Sequence, residues 1–165
     1  MKALIRKINN LLSRGTVTLT QAAGKLQTLQ VALLDDEAKD TVEHFEPFGF
    51  TSNPHPGAEV LAAFIEGDRS HGIIIAAADR RYRLQDLQGG EVAIYDDHGA
   101  SIALTQTGIV IIGGGHPINI SGAAAINITG GTVNVSGGDV TADGISLKSH
   151  HHNEHDGPAT SAAIA

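Results

Sequence analysis

The stretch INISGAAAINITGGTVNVSGGDVTADG, residues 118–144, decides the fold because it is a degenerate repeat. Its units begin at Ile118, Ile126, Val133 and Val140, so successive units are eight, seven and seven residues apart. In each of the first three units an asparagine lies between two β-branched apolar residues, and a Ser-Gly or Thr-Gly pair follows. This pattern predicts a short strand with one apolar face and a turn after it. Units this short indicate a solenoid or fibre, and the strict apolar alternation argues against the alternative, a loosely ordered linker.

A fibre built from these units requires more than one chain. Each unit offers only two inward-facing side chains, which is too little core for a single chain. Several identical chains wound together would share one apolar axis and pair their strand edges, most simply as a closed trimer. The pattern therefore predicts an intertwined triple-stranded β-helix over residues 106–147. The residues predicted to form its axis core are Ile118, Ile120, Ile126, Ile128, Val133, Val135, Ile145 and Leu147.

The preceding region, residues 15–105, has the pattern of a small β-barrel. Two apolar runs, AEVLAAFI (58–65) and GIIIAAA (72–78), are joined by a polar connection and predict a hairpin. A second hairpin is predicted for EVAIYDDHGASIALT (91–105), with its turn at DDHG. Five or six short antiparallel strands favour a mainly β fold, with an oligonucleotide/oligosaccharide-binding (OB) barrel as the expected topology.

Residues 1–14 are predicted to form an amphipathic helix that Gly15 ends. A docking helix, packed on the barrel or on a neighbouring subunit, is favoured over the alternative of a membrane-surface helix, which the basic polar face also suits. Its apolar face would carry Leu4, Ile5, Ile8, Leu11 and Leu12, opposite Lys2, Arg6, Lys7 and Asn10.

Composition excludes several classes of function. The formal net charge of −7 argues against nucleic acid as a partner, because phosphate binding needs clustered lysine and arginine. The chain has no cysteine, and it contains no apolar run long enough for a transmembrane helix and no secretory signal pattern. No nucleophile elbow, phosphate-binding loop or dinucleotide fingerprint occurs, so we expect neither an enzyme nor a small-molecule substrate.

Four histidines, His150, His151, His152 and His155, lie close together near the end of the sequence. On an extended strand, side chains at positions i and i+2 share a face, so His150 and His152 point together and His151 points away. We expect residues 148–165 to form a metal-binding apex. A tag remnant, a solvated cluster and a metalloenzyme site are the alternatives, and HNEH has the wrong spacing for the last. The remaining histidines are predicted to be surface residues: His44, His55, His71, His98 and His116.

The order of helix, small barrel, hairpin, repetitive fibre and terminal histidines resembles the central-spike proteins of contractile phage tails. Two stretches carry the resemblance: GGEVAIYDDHGASIALTQTGIVI (89–111) and DVTADGISLKSHHH (139–152). The family is that of baseplate assembly protein V, with the Mu-like baseplate spikes as its nearest members. The resemblance implies a homotrimer, an OB-like barrel that holds the hub, and a tapering triple-stranded β-helix.

The resemblance also implies one iron ion per trimer, bound inside the apex by a His-x-His motif from each chain. Here the motif maps onto His150 and His152, with His151 in the variable position. Six imidazoles would form a closed octahedral site, which suits Fe(II) or Ni(II) better than tetrahedral Zn(II), and the resemblance favours iron. Asp139 and Asp143 are candidates for a second cation, such as calcium, because hard cations prefer oxygen ligands.

The function implied is that of a non-enzymatic, membrane-piercing spike at the centre of a contractile tail baseplate. It would belong to the virion, assemble in the host cytoplasm, contact hub proteins and the tail tube, and have the host outer membrane as its target. The spike of a phage-tail-like secretion system is a related alternative. A carbohydrate- or oligonucleotide-binding OB module on a fibrous stalk is another, but it needs aromatic platforms, and Tyr82 and Tyr95 are too few.

Overall fold

The chain is described from a computed structural model that covers residues 11–33 and 37–152. Within these residues every regular element is a β-strand except one 3₁₀ turn, Ile65–Gly67. The chain divides into two compact units, 1–118 and 119–165, and each is described separately. No helix in the described part is long and apolar enough to cross a membrane.

Five strands of the first unit close into a barrel, so the predicted small β-barrel is confirmed. Its strand order is β1-β2-β3-β5-β4, with β4 pairing back onto β1, and β3 and β5 are parallel while all other pairs are antiparallel. A five-stranded Greek-key barrel is also the architecture of OB-folds. The strands are β1 (Leu12–Gln21), β2 (Thr28–Leu33), β3 (Ala38–His44), β4 (Glu59–Phe64) and β5 (Gly72–Ala78).

The barrel core follows from the alternation of apolar residues in these strands. In β4 every second residue is buried, so its apolar set faces inward while the intervening residues face outward. Burying a large aliphatic side chain stabilises the fold by about 1.5–3 kcal/mol. The core cluster consists of Val17, Leu29, Val31, Leu33, Val42, Ala58, Val60, Ala62, Phe64 and Ile74.

The N-terminal end of β1 corrects part of the predicted helix. The strand begins at Leu12, and its first residues pair with β4 in the register Leu12↔Ala63 to Thr16↔Glu59. This pairing closes the barrel. Its backbone hydrogen bonds stabilise the extended conformation of residues 12–14 more than a helical apolar pattern of three residues could stabilise a helix. Residues 1–10, which carry the rest of the predicted helix, lie outside the described residues.

Gly15 does not end a helix but lies inside β1, where it allows close approach to β2. A Cβ atom at this position would lie 2.6 Å from the carbonyl oxygen of Ala32 and 2.8 Å from a methyl carbon of Leu33. No real Cβ tolerates such distances, so the contact between the two strands requires glycine.

The second predicted hairpin forms a sheet of its own instead of continuing the barrel to residue 105. Its strands are β6 (Val92–Tyr95), β7 (Ala100–Thr105) and β8 (Gly108–Gly113), and all pairs are antiparallel. Among its apolar side chains only Ala103 is buried. The sheet exposes large apolar side chains at consecutive positions, and hence on both faces: Val92, Ile94, Ile102, Leu104, Ile109, Val110, Ile111 and Ile112.

The second unit contains one small hairpin, β9 (Thr141–Ala142) and β10 (Ile145–Ser146). Residues 119–138 carry no helix or strand, but their repeat has a regular backbone signature. The turn glycines Gly122, Gly130 and Gly137 have φ values of 70°, 76° and 73°, which is the left-handed region that glycine favours. The repeat recognised in the sequence is thus a repeat of conformation, while the intertwined β-helix stays a prediction.

Candidate functional sites: the histidine tip and the barrel cleft

Asp139 organises the chain that leads to the histidines. One carboxylate oxygen accepts the Ser146 hydroxyl, and the other accepts the backbone N–H groups of Val140 at 2.8 Å and Lys148 at 3.2 Å. The Ser146 hydroxyl, followed by the backbone donors, lowers the pKa of Asp139 below its ordinary value. Asp139 therefore ties both ends of the β9–β10 hairpin together as a carboxylate.

Asp143 has a turn role at the other end of the same hairpin. Asp143 and Gly144 form the two-residue loop, with φ values of 48° and 83°. Positive φ at both positions defines a type I′ turn, for which Asp-Gly is a favoured sequence. Both acidic residues predicted as second-cation contacts thus have local structural roles, and calcium binding at them stays a prediction.

The structure places His150 and His152 next to each other. Their ring centroids are 5.1 Å apart and the ring planes meet edge to face at 86°. His150 is partly buried, whereas His151 and His152 are exposed. The proximity agrees with the i, i+2 argument from the sequence, although metal binding itself stays a prediction.

The backbone of the tip selects one tautomer of His150. Its Nδ1–H donates to the carbonyl oxygens of Ser146 and Leu147, both at 3.1 Å. When Nδ1 carries the proton, the lone pair lies on Nε2, the atom available to a metal. Backbone carbonyls commonly orient metal-binding histidines in this way.

The apolar residues predicted for the trimer axis are all exposed in the single chain. Their exposed fractions range from 48% at Val135 to 66% at Ile120. These side chains are therefore available for burial by other chains.

A cleft of about 530 Å³ lies between the β3–β4 loop and the β6–β7 turn, and its lining includes His55, Tyr82, Tyr95 and Asp97. The Asp97 carboxylate accepts hydrogen bonds from His55 Nε2 at 2.7 Å and His98 Nδ1 at 2.6 Å. The bond from His55 is the largest cause of the lowered pKa of Asp97. Within the described residues, His55–Asp97 is the one side-chain hydrogen bond that joins the barrel and its loops to the three-stranded sheet, so it acts as a clasp.

The neighbouring acidic group has the proximity of a metal site but is engaged in structural bonds. Ligand atoms of Asp96, Asp97 and His98 lie within 4.8 Å of one another. Asp96, however, accepts the backbone N–H groups of His98 at 2.9 Å and Ala100 at 2.8 Å, which shapes the turn. Asp97 accepts hydrogen bonds from two histidines. We therefore interpret the three residues as a turn and its link to the barrel, and not as a metal site.

One of the two tyrosine rings in the cleft is already engaged by neighbouring side chains. The cleft brings Tyr82 and Tyr95 to one place, which the sequence did not reveal. The Tyr82 ring already contacts the His55 ring, with centroids 5.5 Å apart, and the Arg81 guanidinium lies 5.3 Å from its centroid. These contacts disfavour the alternative of a carbohydrate- or oligonucleotide-binding module.

His44 was expected on the surface, and that prediction is wrong. The side chain is only 5% exposed, and its Nδ1 lies 2.9 Å from Gln27 Oε1. Burial lowers the pKa of His44 below its ordinary value, so the ring stays neutral in the folded barrel. The usable signal was its place in β3, two residues after Val42 and hence on the same inward face.

Comparison with known proteins identifies the barrel. Residues 14–81 match the family model described as Bacteriophage Mu Gp45, N-terminal. Over 109 residues the chain is 42% identical to the baseplate puncturing device gp45 of Escherichia phage Mu, a match that covers 66% of this chain and 55% of that protein.

A second relative is the Mu-like prophage FluMu protein gp45 of Haemophilus influenzae, which is 32% identical over 109 residues, 66% of this chain and 59% of the relative. The chain thus spans between half and two thirds of the length of the relatives it matches. The matched family segment runs from the third residue of β1 to just beyond β5. Residues 14–81 therefore match the N-terminal domain of the Bacteriophage Mu Gp45 family, and the predicted resemblance of the chain to the Mu-like baseplate spikes is confirmed.

Proposed function

We propose that this chain is the central spike of a contractile phage tail baseplate, a homotrimer that is driven against the host outer membrane when the tail contracts. The observation that carries the proposal is an exposed apolar repeat that leads to a pair of adjacent histidines. The relative named a baseplate puncturing device supports this role and a location in the virion tail baseplate. In this role the protein is structural and not an enzyme.

Trimer formation would bury apolar surface that is exposed to solvent in the single chain. Three copies of the repeat would direct the exposed side chains of the axis core toward one another. The three-stranded sheet of β6, β7 and β8 also exposes apolar side chains, and the sheets of neighbouring chains would cover them in the trimer. Pairing between chains would also supply partners for the backbone groups of residues 119–138, which form no strand within the single chain.

The tip residues fit an iron ion shared by three chains. In each chain His150 and His152 would supply two imidazoles, and the carbonyls that accept from His150 Nδ1–H leave its Nε2 as the ligand atom. Six nitrogen ligands complete an octahedral shell, so the ion would have no open position for catalysis. It would instead cross-link three chain ends at the point where fraying otherwise begins.

Metal analysis of the full chain tests the tip. The purified trimer is expected to hold one iron per three chains. The double substitution His150→Ala and His152→Ala should remove the metal but leave the trimer intact, since the axis core is unchanged. His151→Ala is the matched control and should retain the metal. Absence of a stoichiometric ion in the unmodified protein, or equal loss in the control, would refute the metal site.

The partners of the proposed spike follow from its place in the baseplate. Hub proteins and the tail tube would contact the barrel end, and the host outer membrane would be the target of the histidine tip. The spike of a phage-tail-like secretion system would share every feature of the chain described above. Electron microscopy of tails assembled with and without this chain would test the location directly, because tails lacking the spike should lose the central density.

A further inference from the structure

The loop of residues 45–52, here called the phenylalanine loop, presents apolar surface that the barrel does not use. It carries three of the four phenylalanines of the chain. Phe45 and Phe50 are 53% and 62% exposed, and Phe48 is fully exposed, whereas Phe64 is buried in the core. Further burial of these exposed rings by a partner would be favourable. This surface suits a binding partner.

The phenylalanine loop is held in one shape before anything binds. The Glu46 carboxylate accepts the Ser52 N–H at 2.6 Å and the Thr51 hydroxyl at 3.0 Å. The Phe50 N–H donates to the Pro47 carbonyl at 3.0 Å across a turn. Because the loop is already ordered, binding to it costs little conformational entropy.

Charge selects the kind of partner. Glu43, at the end of β3, is exposed, and Glu46 is half-buried. Neither forms an ion pair with a described residue. Lys25 lines the same pocket as Glu46. An acidic apolar surface repels anionic lipid. It favours an apolar segment that carries basic residues.

Residues 1–10 have this composition. They contain no acidic residue but three of the eleven basic residues of the chain, together with an apolar set at helical spacing. We propose that residues 1–10 pack on the phenylalanine loop of the same chain, with the apolar side chains on the rings and the basic side chains toward Glu43 and Glu46. The apolar set is Leu4, Ile5 and Ile8, and the basic set is Lys2, Arg6 and Lys7.

The strand registers place the loop within reach of this segment. Leu12 pairs with Ala63, Ala63 with Ile73, and Ile73 with Glu43, so these four residues form one row across β1, β4, β5 and β3. Three strand spacings separate Leu12 from Glu43, which is about 14–15 Å along the sheet. Phe45 lies beside the end of the row, because its N–H donates to the Ile74 carbonyl at 2.9 Å. Six residues lie between Ile5 and Leu12, and the seven steps of the chain can span up to about 25 Å when extended.

Disulfide trapping in the full chain tests the contact, since the chain has no native cysteine. Ile5→Cys combined with Phe45→Cys should form an intrachain disulfide in a glutathione buffer, while Phe48, Phe50, Leu4 and Ile8 remain to hold the contact. The control is Ile5→Cys with Ile65→Cys. Ile65 is 60% exposed and closer to the start of β1, because the N–H of the preceding Phe64 donates to the Leu11 carbonyl. Random collisions would therefore favour the control, whereas the proposal expects several-fold more disulfide at position 45.

Charge reversal supplies a second arm. Glu43→Lys in the trapping variant should lower the disulfide yield several-fold, and adding Lys7→Glu should restore it, because the pair of charges is exchanged. Glu43 is exposed, so the barrel should keep its unfolding midpoint in both variants. A yield at position 45 no higher than at position 65 would overturn the proposal. Disulfides found mainly between chains, seen as dimers in non-reducing electrophoresis, would also overturn it in favour of a neighbouring copy.

Discussion

Replacing Ile126 with alanine is expected to weaken the proposed trimer while leaving the barrel unchanged. The Ile126 side chain is 63% exposed in the single chain, so that fraction is available for burial by neighbouring chains. The substitution removes three carbons, which on full burial are worth about 2.4 kcal/mol. Scaling by the exposed fraction gives about 1.5 kcal/mol per chain and about 4.5 kcal/mol per trimer. The trimer dissociation constant should therefore rise about 2,000-fold.

Because that constant has units of concentration squared, the concentration at half-dissociation should rise about 45-fold. Sedimentation equilibrium in a fixed urea concentration, chosen so that the unmodified trimer is half dissociated, measures this shift. Ile65→Ala is the matched control, since Ile65 is 60% exposed but lies outside the repeat. An unchanged midpoint for Ile126→Ala, or an equal shift in the control, would refute the shared apolar axis.

Three further predictions concern single residues. Burial lowers the pKa of His44, so the unfolded chain binds more protons just below pH 6.5 and the unfolding free energy should fall as pH drops from about 7 to 5; His44→Gln should flatten this slope, and an unchanged slope would contradict the argument. Gly15→Ala should destabilise the barrel by about 1–3 kcal/mol in urea unfolding, because its Cβ would meet the Ala32 carbonyl, whereas Gly89→Ala, with no atom within 4 Å, should have little effect. Asp139→Ala should accelerate hydrogen exchange at the Lys148 amide, which loses its acceptor, while Asp143→Asn should not, because asparagine also suits the turn; equal exchange in both would exclude the role assigned to Asp139.

Local patterns were sufficient to predict β4, β5 and the repeat, whereas β3 has no alternation that marks it as a strand. Alternation in AEVLAAFI and the apolar run GIIIAAA correspond to β4 and β5, which pair in the predicted hairpin. The error at Leu12–Arg14 has a physical cause, since a few residues fit a helical and an extended pattern equally well. Their pairing with β4, about fifty residues away in the sequence, decides the outcome.

Among the histidines too, contacts between sequence neighbours could be predicted, whereas contacts between distant residues could not. Sequence spacing predicted that the rings of His150 and His152 lie side by side because those residues are close in sequence, while their role as metal ligands stays a prediction. The clasp of His55 with Asp97 joins residues 42 positions apart and has no local signature. Metal binding and trimer formation would each need three chains, so they are tested by experiments on the assembled protein.

The left-handed glycines at positions 122, 130 and 137 have a consequence for how such chains change in length. Each unit makes its reversal with its own glycine and depends on no distant residue of the same chain. A unit of seven or eight residues can therefore be duplicated or deleted without disturbing its neighbours or the barrel. The length of the proposed fibre is in this sense a countable property, adjustable in whole units of seven or eight residues.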